Sequence, residues 1–286
     1  MRILIITGLS GSGKSVALNT LEDDDFYCVD NLPVSLLPTL IDECLNENRQ
    51  YHNKIAIGID SRSGNDSIDN LIDIVQTLKN DDVPVEVLFF SAEINTLIKR
   101  FSETRRKHPL TTTDVPLIKA IHLERELLSK IADYADLNID TTKTNVRQLR
   151  TLVNQVVINK PSNGLTIVLQ SFGFKHGIPN DSDFMFDVRC LPNPYWQPNL
   201  RNLSGQDSAV MNYLGSYEEV DRMIQSIIEF MEKWIPLFEE ENRSYLTISI
   251  GCTGGHHRSV YCINQIAHEL GKKMQQPITV RHREFE

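Results

Sequence analysis

Cysteine, long apolar runs and excess positive charge are all scarce in this 286-residue chain. The five cysteines, Cys28, Cys44, Cys190, Cys252 and Cys262, are odd in number, scattered and never in C-x-x-C spacing. That pattern speaks against a disulfide framework or a zinc site and for reduced thiols. No stretch reaches the roughly eighteen consecutive apolar residues of a membrane helix, and Ile3–Ile6 is too short for a signal-peptide core. A soluble, cytoplasmic protein with no membrane partner is therefore expected. Residues 1–160 hold 18 Lys and Arg against 23 Asp and Glu, and residues 161–286 hold 11 against 15, within a net charge of −9. Neither half is basic, so any nucleic-acid contact needs a local patch rather than the field of the whole protein.

What is present is ordinary globular material, 41% hydrophobic and 23% charged, enough for two modest domains. The first part alternates short β-branched runs with amphipathic stretches, the pattern of a βαβ-wound parallel sheet in an α/β protein. Strands are predicted at Ile3–Thr7, Phe26–Val29, Ile55–Asp60, Val85–Ser91 and Ala135–Ile139, and helices at Ser35–Asn46, Ser67–Asn80 and Leu117–Tyr134. A closing helix overlapping Val146–Val157 is expected, capped from the segment that starts at Thr141. The breaker cluster Asn159-Lys-Pro-Ser-Asn-Gly164 sets the expected boundary between domains 1–160 and 161–286. A second, smaller α/β domain follows, with strands at Leu165–Phe172, Phe184–Arg189, Leu246–Ile250 and Ile278–Arg283. Its expected helices are Tyr217–Trp234, stopped before Pro236, and His257–Leu270.

Gly8-Leu9-Ser10-Gly11-Ser12-Gly13-Lys14-Ser15 satisfies G-x-x-x-x-G-K-[ST], with a strand before it and an amphipathic helix after it. Glycines let the backbone turn its N–H groups inward, and the helix N-terminus adds partial positive charge, so the segment is expected to hold a polyphosphate. Lys14 would act on the β- and γ-phosphates, and the Ser15 hydroxyl would take one Mg²⁺ position. Asp30 and Asp60, each ending a predicted strand, are the two candidates for a carboxylate near that metal, and Asp30 is also the candidate general base. Arg100, Arg105, Arg106 and Lys107 form a basic cluster expected to close over the phosphates.

A second strand, glycine loop and helix start occurs at Gly251-Cys-Thr-Gly-Gly-His-His-Arg-Ser-Val260. It is a candidate anion cradle in which Arg258 binds phosphate. Its Cys-x-x-Gly-x-x-Arg-Ser spacing also fits a phosphatase-type loop with Cys252 as nucleophile and Asp187 as candidate acid. Tyr195 and Trp196, in a Pro-rich turn, are candidates to line a pocket beside Arg258. Three function classes stand at this point: a regulatory nucleotide-binding adapter with slow hydrolysis, a small-molecule kinase, and a cysteine phosphatase.

GLSGSGKS, FYCVDNLP, RFSETRRKHPL, DVRCLPNP and GCTGGHHRSV, in this order along nearly the whole chain, together resemble the RapZ/YvcJ family of bacterial nucleotide-binding proteins. The resemblance implies a P-loop domain with ATPase and GTPase activity, ATP, GTP and Mg²⁺ as cofactors, and a guanine-nucleotide segment at Asp60, Ser61, Arg62 and Ser63. It further implies an RNase-adapter role, in which the C-terminal domain binds small regulatory RNA, contacts an endoribonuclease and senses glucosamine-6-phosphate, a phosphorylated amino sugar. By motif, the sugar-phosphate site falls on Thr253, Gly254, His257 and Arg258. A homo-oligomer is expected. Two departures bear on the adapter role: Tyr195 stands where adapter members carry His, and Arg281-His-Arg-Glu-Phe-Glu286 stands in place of a basic tail. The remaining patch, Lys272, Lys273, Arg281 and Arg283, is expected to give RNA binding that is weak and still salt-sensitive.

Overall fold

The computed structural model describes residues 2–45, 53–61, 65–81, 83–104, 106–158, 165–241 and 243–285. The chain forms two compact units, Met1–Ile158 and Asn159–Glu286.

Unit 1 is built on a parallel sheet of β1 (Arg2–Gly8), β2 (Tyr27–Val29), β3 (Lys54–Gly58), β4 (Val85–Ser91) and β5 (Leu137–Asp140), in the order β2-β3-β1-β4-β5. Every pairing is parallel. In β1, Ile3, Leu4, Ile5 and Ile6 are all fully buried, the continuous apolar run of a strand covered on both faces. Ile3 and Ile5 join Ile55, Ile57, Val85 and Val87 in one core with α3 (Asn65–Asn80), α5 (Leu117–Leu127) and α6 (Ser129–Tyr134), through Leu71, Val75, Ile121 and Ile131. The chain leaves β1 toward β2 on one side and later returns on the other side at β4, so the C-terminal end of β1 lies at a switch point of the sheet. Ligands of open α/β sheets bind at such points. The remaining helices of the unit are α1 (Lys14–Glu22), α2 (Leu37–Leu45), α4 (Ile94–Thr104) and α7 (Val146–Val153).

Two helices of unit 1 depart from the periodicity. The stretch Leu117–Tyr134 divides into α5 and α6 at Leu128, whose φ is −90° and ψ 2°. There the Ser129 hydroxyl donates to the Glu126 carbonyl at 2.8 Å, a local bond that competes with the helical ladder. The cap of α7 is Asn145 rather than Thr141: its side chain accepts from the Gln148 amide while the Gln148 side chain accepts from the Asn145 amide.

Unit 2 carries a second all-parallel sheet of β6 (Thr166–Gly173), β7 (Phe184–Asp187), β8 (Tyr245–Cys252) and β9 (Ile278–His282), in the order β7-β8-β6-β9. Its helices are α8 (Ser208–Leu214), α9 (Glu218–Glu240) and α10 (Arg258–Lys273). Their apolar faces meet Leu165, Ile167, Leu169, Leu246, Ile248 and Ile250 in the core.

The expected stop before Pro236 is corrected by α9, which runs through that residue to Glu240. An interior proline removes one backbone bond, here toward the Glu232 carbonyl, and costs about 3 kcal/mol. Burial of Val220, Ile224, Ile227, Ile228, Met231 and Ile235 along one face of α9 outweighs that cost.

Pro236 is exposed, so Pro236→Ala restores the missing donor with little loss of packing. It is expected to stabilise unit 2 by about 1–3 kcal/mol in urea unfolding followed by circular dichroism. Ile228→Ala, at a fully buried position, is expected to cost about 2–5 kcal/mol in the same measurement.

Candidate nucleotide site and a second anion loop

The turn after β1 exists because three of its residues have no side chain. Gly8, Gly11 and Gly13 have φ of 133°, 84° and 109°, the left-handed region that L side chains rarely enter. A Cβ on Gly8 would lie 2.0 Å from the Phe90 carbonyl oxygen, and one on Gly13 would lie 2.5 Å from Leu149 Cδ2. The turn delivers the chain into α1, whose first turn has no side-chain cap at Gly13. Its leading N–H groups thus have no side-chain acceptor at the cap, an arrangement that suits an anion.

Four carbonyls of the turn are held by side-chain donors. Lys14 Nζ donates to Gly8 O at 2.6 Å and to Leu9 O at 3.1 Å. Arg100 Nη1 donates to Gly11 O at 3.1 Å, and the Thr141 hydroxyl donates to Ser12 O at 2.7 Å. A trans peptide directs its N–H opposite to its C=O, so these bonds orient the amides as well: that of Leu9 donates to Phe90 O at 2.9 Å and that of Ser12 to Leu9 O at 3.1 Å.

On the other flank sits Glu124, which belongs to no sequence motif. Its side chain is 0% exposed, on the buried face of α5 with Ala120 and Ile121. Oε2 accepts from the Ser10 amide at 2.8 Å and faces His108 Nε2 at 3.0 Å. Oε1 accepts from the Ser10 hydroxyl and the Ser61 hydroxyl, both at 2.6 Å. The Leu110 amide donates to His108 Nδ1 at 3.2 Å, which leaves Nε2 to carry the hydrogen directed at Glu124. Burial pushes the Glu124 carboxyl up, but hydrogen bonds from His108, Ser10 and Ser61 outweigh it and hold the pKa at about 2. A glutamate on the apolar stripe of a predicted helix is the sequence signal for this residue.

The other expected residues lie as follows. Ser15 is exposed in the first turn of α1, and Asp30 is exposed just after β2. The Asp30 carboxylate lies over the end of β3, since its Oδ1 is 2.6 Å from where a Cβ on Gly58 would be. Asp60 is half-buried beyond β3, and Ser61 is buried on Glu124. Arg62, Ser63 and Arg105 lie outside the described residues, as does the breaker cluster 159–164. Arg100 corrects one expectation: its guanidinium is engaged by carbonyls of Gly11, Thr141 and Thr144 and so braces the turn rather than closing over a ligand. Arg106 and Lys107 are exposed.

In unit 2, β8 ends at Cys252 and α10 begins at Arg258, with Gly255 between them at φ 74°. Arg258 is buried: Nη1 donates to Arg189 O at 2.7 Å and Leu191 O at 3.0 Å, and Nη2 to Thr253 Oγ1 at 3.3 Å. Its Nε is buried with no hydrogen-bond partner among the described residues. His257 is buried with Nε2 3.2 Å from Leu200 O, and burial pushes its pKa down. Thr253 is exposed and Gly254 half-buried at the mouth of this loop. Tyr195 and Trp196 are exposed and edge-on to each other, with the Arg201 guanidinium 4.8 Å from the Tyr195 ring centre.

Two further expectations are corrected. The Arg189 guanidinium hydrogen-bonds Asp187 at 2.7–3.0 Å and holds its carboxyl below the usual range. Asp187 is therefore ionised at neutral pH and unsuited to donate a proton to a leaving group. The Cys252 thiol is buried, accepting from the Gly255 amide and sharing a hydrogen bond with Ser259, each at 3.2 Å. The second correction concerns the basic patch. Arg281 and Arg283 are each only 5% exposed, and Arg281 lies 3.5 Å from the Asp181 carboxylate. Lys272 and Lys273 are exposed but bridge Glu269 at 2.8 Å and Glu232 at 2.7 Å. The four cations thus do not form one open surface.

Known proteins bear on both units. Residues 1–160 match the family described as the RapZ-like N-terminal domain, and residues 165–286 match the RapZ C-terminal domain. A nucleotide-binding protein of Thioalkalivibrio sulfidiphilus is 49% identical over 285 residues, covering 100% of both chains. One of Methylococcus capsulatus is 50% identical over 286 residues, covering 100% of this chain and 96% of that one. One of Stutzerimonas stutzeri is 47% identical over 288 residues, again covering 100% of both. Among solved structures, a shikimate kinase from Bacteroides thetaiotaomicron aligns over 54% of this chain and 94% of its own, at 12% identity and a TM-score of 0.36. With both halves matched in order and relatives near half identical from end to end, this chain belongs to the RapZ-like family of nucleotide-binding proteins.

Proposed function

We propose that unit 1 binds the triphosphate of ATP or GTP in the turn Gly8–Ser15 and hydrolyses it slowly, as a regulatory rather than a metabolic activity. The observation that carries this reading is the turn itself: three left-handed glycines, carbonyls braced by Lys14, Arg100 and Thr141, and an uncapped helix start. Water attack forms one P–O bond and breaks the β–γ bridge, releasing inorganic phosphate and a nucleoside diphosphate. The Lys14 ammonium and the loop amides counter the charge that gathers on the transferred group. The donors near the turn, the Ser15 hydroxyl with the Asp30 and Asp60 carboxylates, are all oxygen, the set that suits Mg²⁺. Bound there by Ser15 and one of the two aspartates, the metal would neutralise phosphate charge.

For unit 2, the buried Arg258 fork beside Thr253, Gly254 and His257 supports a phosphorylated amino sugar as ligand. We further propose that the protein acts as an adapter that binds small regulatory RNA and an endoribonuclease in the cytoplasm, working as a homo-oligomer. Lys272 and Lys273 are the exposed members of the basic set and the candidates for phosphate contacts. Asp187, engaged as it is by Arg189, disfavours the phosphatase alternative.

Lys14→Ala is expected to weaken ATP and GTP binding by about ten- to a hundredfold in calorimetric titration, and unchanged titrations would overturn the nucleotide reading. Thr253→Val, which removes an exposed hydroxyl that accepts from Arg258, is expected to weaken glucosamine-6-phosphate binding by about tenfold. RNA retained on filters by the full chain should decline steeply with added salt, and Lys272→Ala with Lys273→Ala should flatten that decline by about two units of slope. No retention at low salt would remove the RNA proposal.

A further inference from the structure

We propose that Glu124 is a positioning residue for the nucleotide turn: its buried carboxylate fixes Ser10, and with it the backbone from Gly8 to Gly13, in the form that offers amides to phosphate. The proposal rests on nucleotide binding at this turn.

Four groups converge on one carboxylate, the Ser10 amide, the Ser10 hydroxyl, the Ser61 hydroxyl and His108 Nε2, at 2.6 to 3.0 Å. Ser10 is 114 residues away in the chain and Ser61 is 63 away. They reach Glu124 from the ends of β1 and β3, so the carboxylate ties two strand-end loops to α5. The Ser10 amide is the one in the middle of the turn, and it is directed away from the mouth, into the protein. Anchoring that peptide on one flank complements the bonds from Arg100 to Gly11 O and from Thr141 to Ser12 O on the other. Between the two anchors the backbone has little freedom to rearrange, and the Leu9 carbonyl, at the opposite end of the Ser10 peptide, is taken up by Lys14.

A direct catalytic part is excluded by the same contacts. The carboxylate is 0% exposed, its acceptor positions are engaged, and a pKa of about 2 makes it a poor proton acceptor. Its charge also repels a triphosphate. Whatever Glu124 adds to nucleotide binding therefore comes from geometry, and a neutral group of the same shape should serve as well. Glutamine is that group. Its amide oxygen can accept from the Ser10 amide and His108 Nε2, while its NH₂ donates to the two serine hydroxyls, whose oxygens accept in turn.

The test titrates the full-length wild type and its Lys14→Ala, Glu124→Gln, Glu124→Ala and His108→Phe variants with ATP and GTP by calorimetry. Thermal unfolding of each unliganded protein runs alongside. Glu124→Ala is expected to bind about tenfold more weakly or worse, and Glu124→Gln to stay within about threefold of wild type. Equal loss in Glu124→Gln and Glu124→Ala would show that the charge itself is required and would overturn the proposal. Wild-type affinity in Glu124→Ala would overturn it as well. Should Glu124→Ala fail to fold, His108→Phe decides, since among the described residues of the nucleotide site His108 hydrogen-bonds only Glu124, and a phenyl ring keeps its packing on Phe101. Binding weakened by about threefold or more at an unchanged unfolding midpoint supports the proposal, and unchanged binding overturns it. Loss of nucleotide binding in wild type, or its persistence in Lys14→Ala, instead identifies failure of the underlying nucleotide reading.

Discussion

A loop that grips phosphate must turn its amides inward, and every peptide unit that does so must turn a carbonyl outward, where it needs a donor. In the turn after β1, Arg100 donates to the Gly11 carbonyl and Thr141 to that of Ser12, while Lys14 donates to Gly8 and Leu9, whose peptides send their N–H groups to the Phe90 carbonyl and to Glu124. Arg100 comes from α4 and Thr141 from the end of β5, so the shape of a six-residue turn depends on elements far along the sequence. The parallel sheet makes this economical. With β1 central, β4 beside it and β5 next to β4, the C-terminal ends of all three strands open on one edge, where a single guanidinium spans Gly11, Thr141 and Thr144. Arginine suits that task because its fork donates in several fixed directions at once.

Sequence reveals the part of this site that backbone sterics dictate. The glycine spacing of the turn is readable because Gly8, Gly11 and Gly13 occupy φ values that admit no other residue without strain. Strands are readable where both faces are covered, as in Ile3–Ile6. The brace is not readable, because Arg100 in a run of Arg and Lys looks like a phosphate clamp until its carbonyl partners are placed. Glu124 is harder still, since its meaning lies in contacts with Ser10, Ser61 and His108 that only folding brings together. Pro236 shows the limit of local rules, as burial along the length of α9 overrides a residue that ordinarily ends a helix.

Charge counting fails for a related reason. Arg281 and Arg283 read as members of a remaining basic patch, yet both are buried, Arg281 in β9 and Arg283 in the turn just after it. Arg281 is in register with Gln170 of β6 and close to Asp181. A cation committed to a buried carboxylate contributes to the fold and little to the outer field. Lys272 and Lys273, in the last turn of α10, remain exposed and favourably placed with respect to the helix dipole.

The two loops solve one problem with different cations. Each follows a parallel strand, bends at glycines, and begins a helix on its basic residue, Lys14 in unit 1 and Arg258 in unit 2. In each the cation is held by backbone carbonyls: Gly8 and Leu9 for the lysine, Arg189 and Leu191 for the arginine. Such tethers fix the charge in place, so little side-chain entropy is lost when an anion arrives. The difference lies in what the tether leaves adjustable. A lysine ammonium is a point charge that can follow a chain of phosphates, while a buried arginine fork presents fixed directions that suit one tetrahedral group. On the proposed reading this assigns the polyphosphate to the lysine loop and the monophosphate to the arginine loop. The assignment follows from side-chain geometry alone, independently of the glycine pattern that first marks both segments.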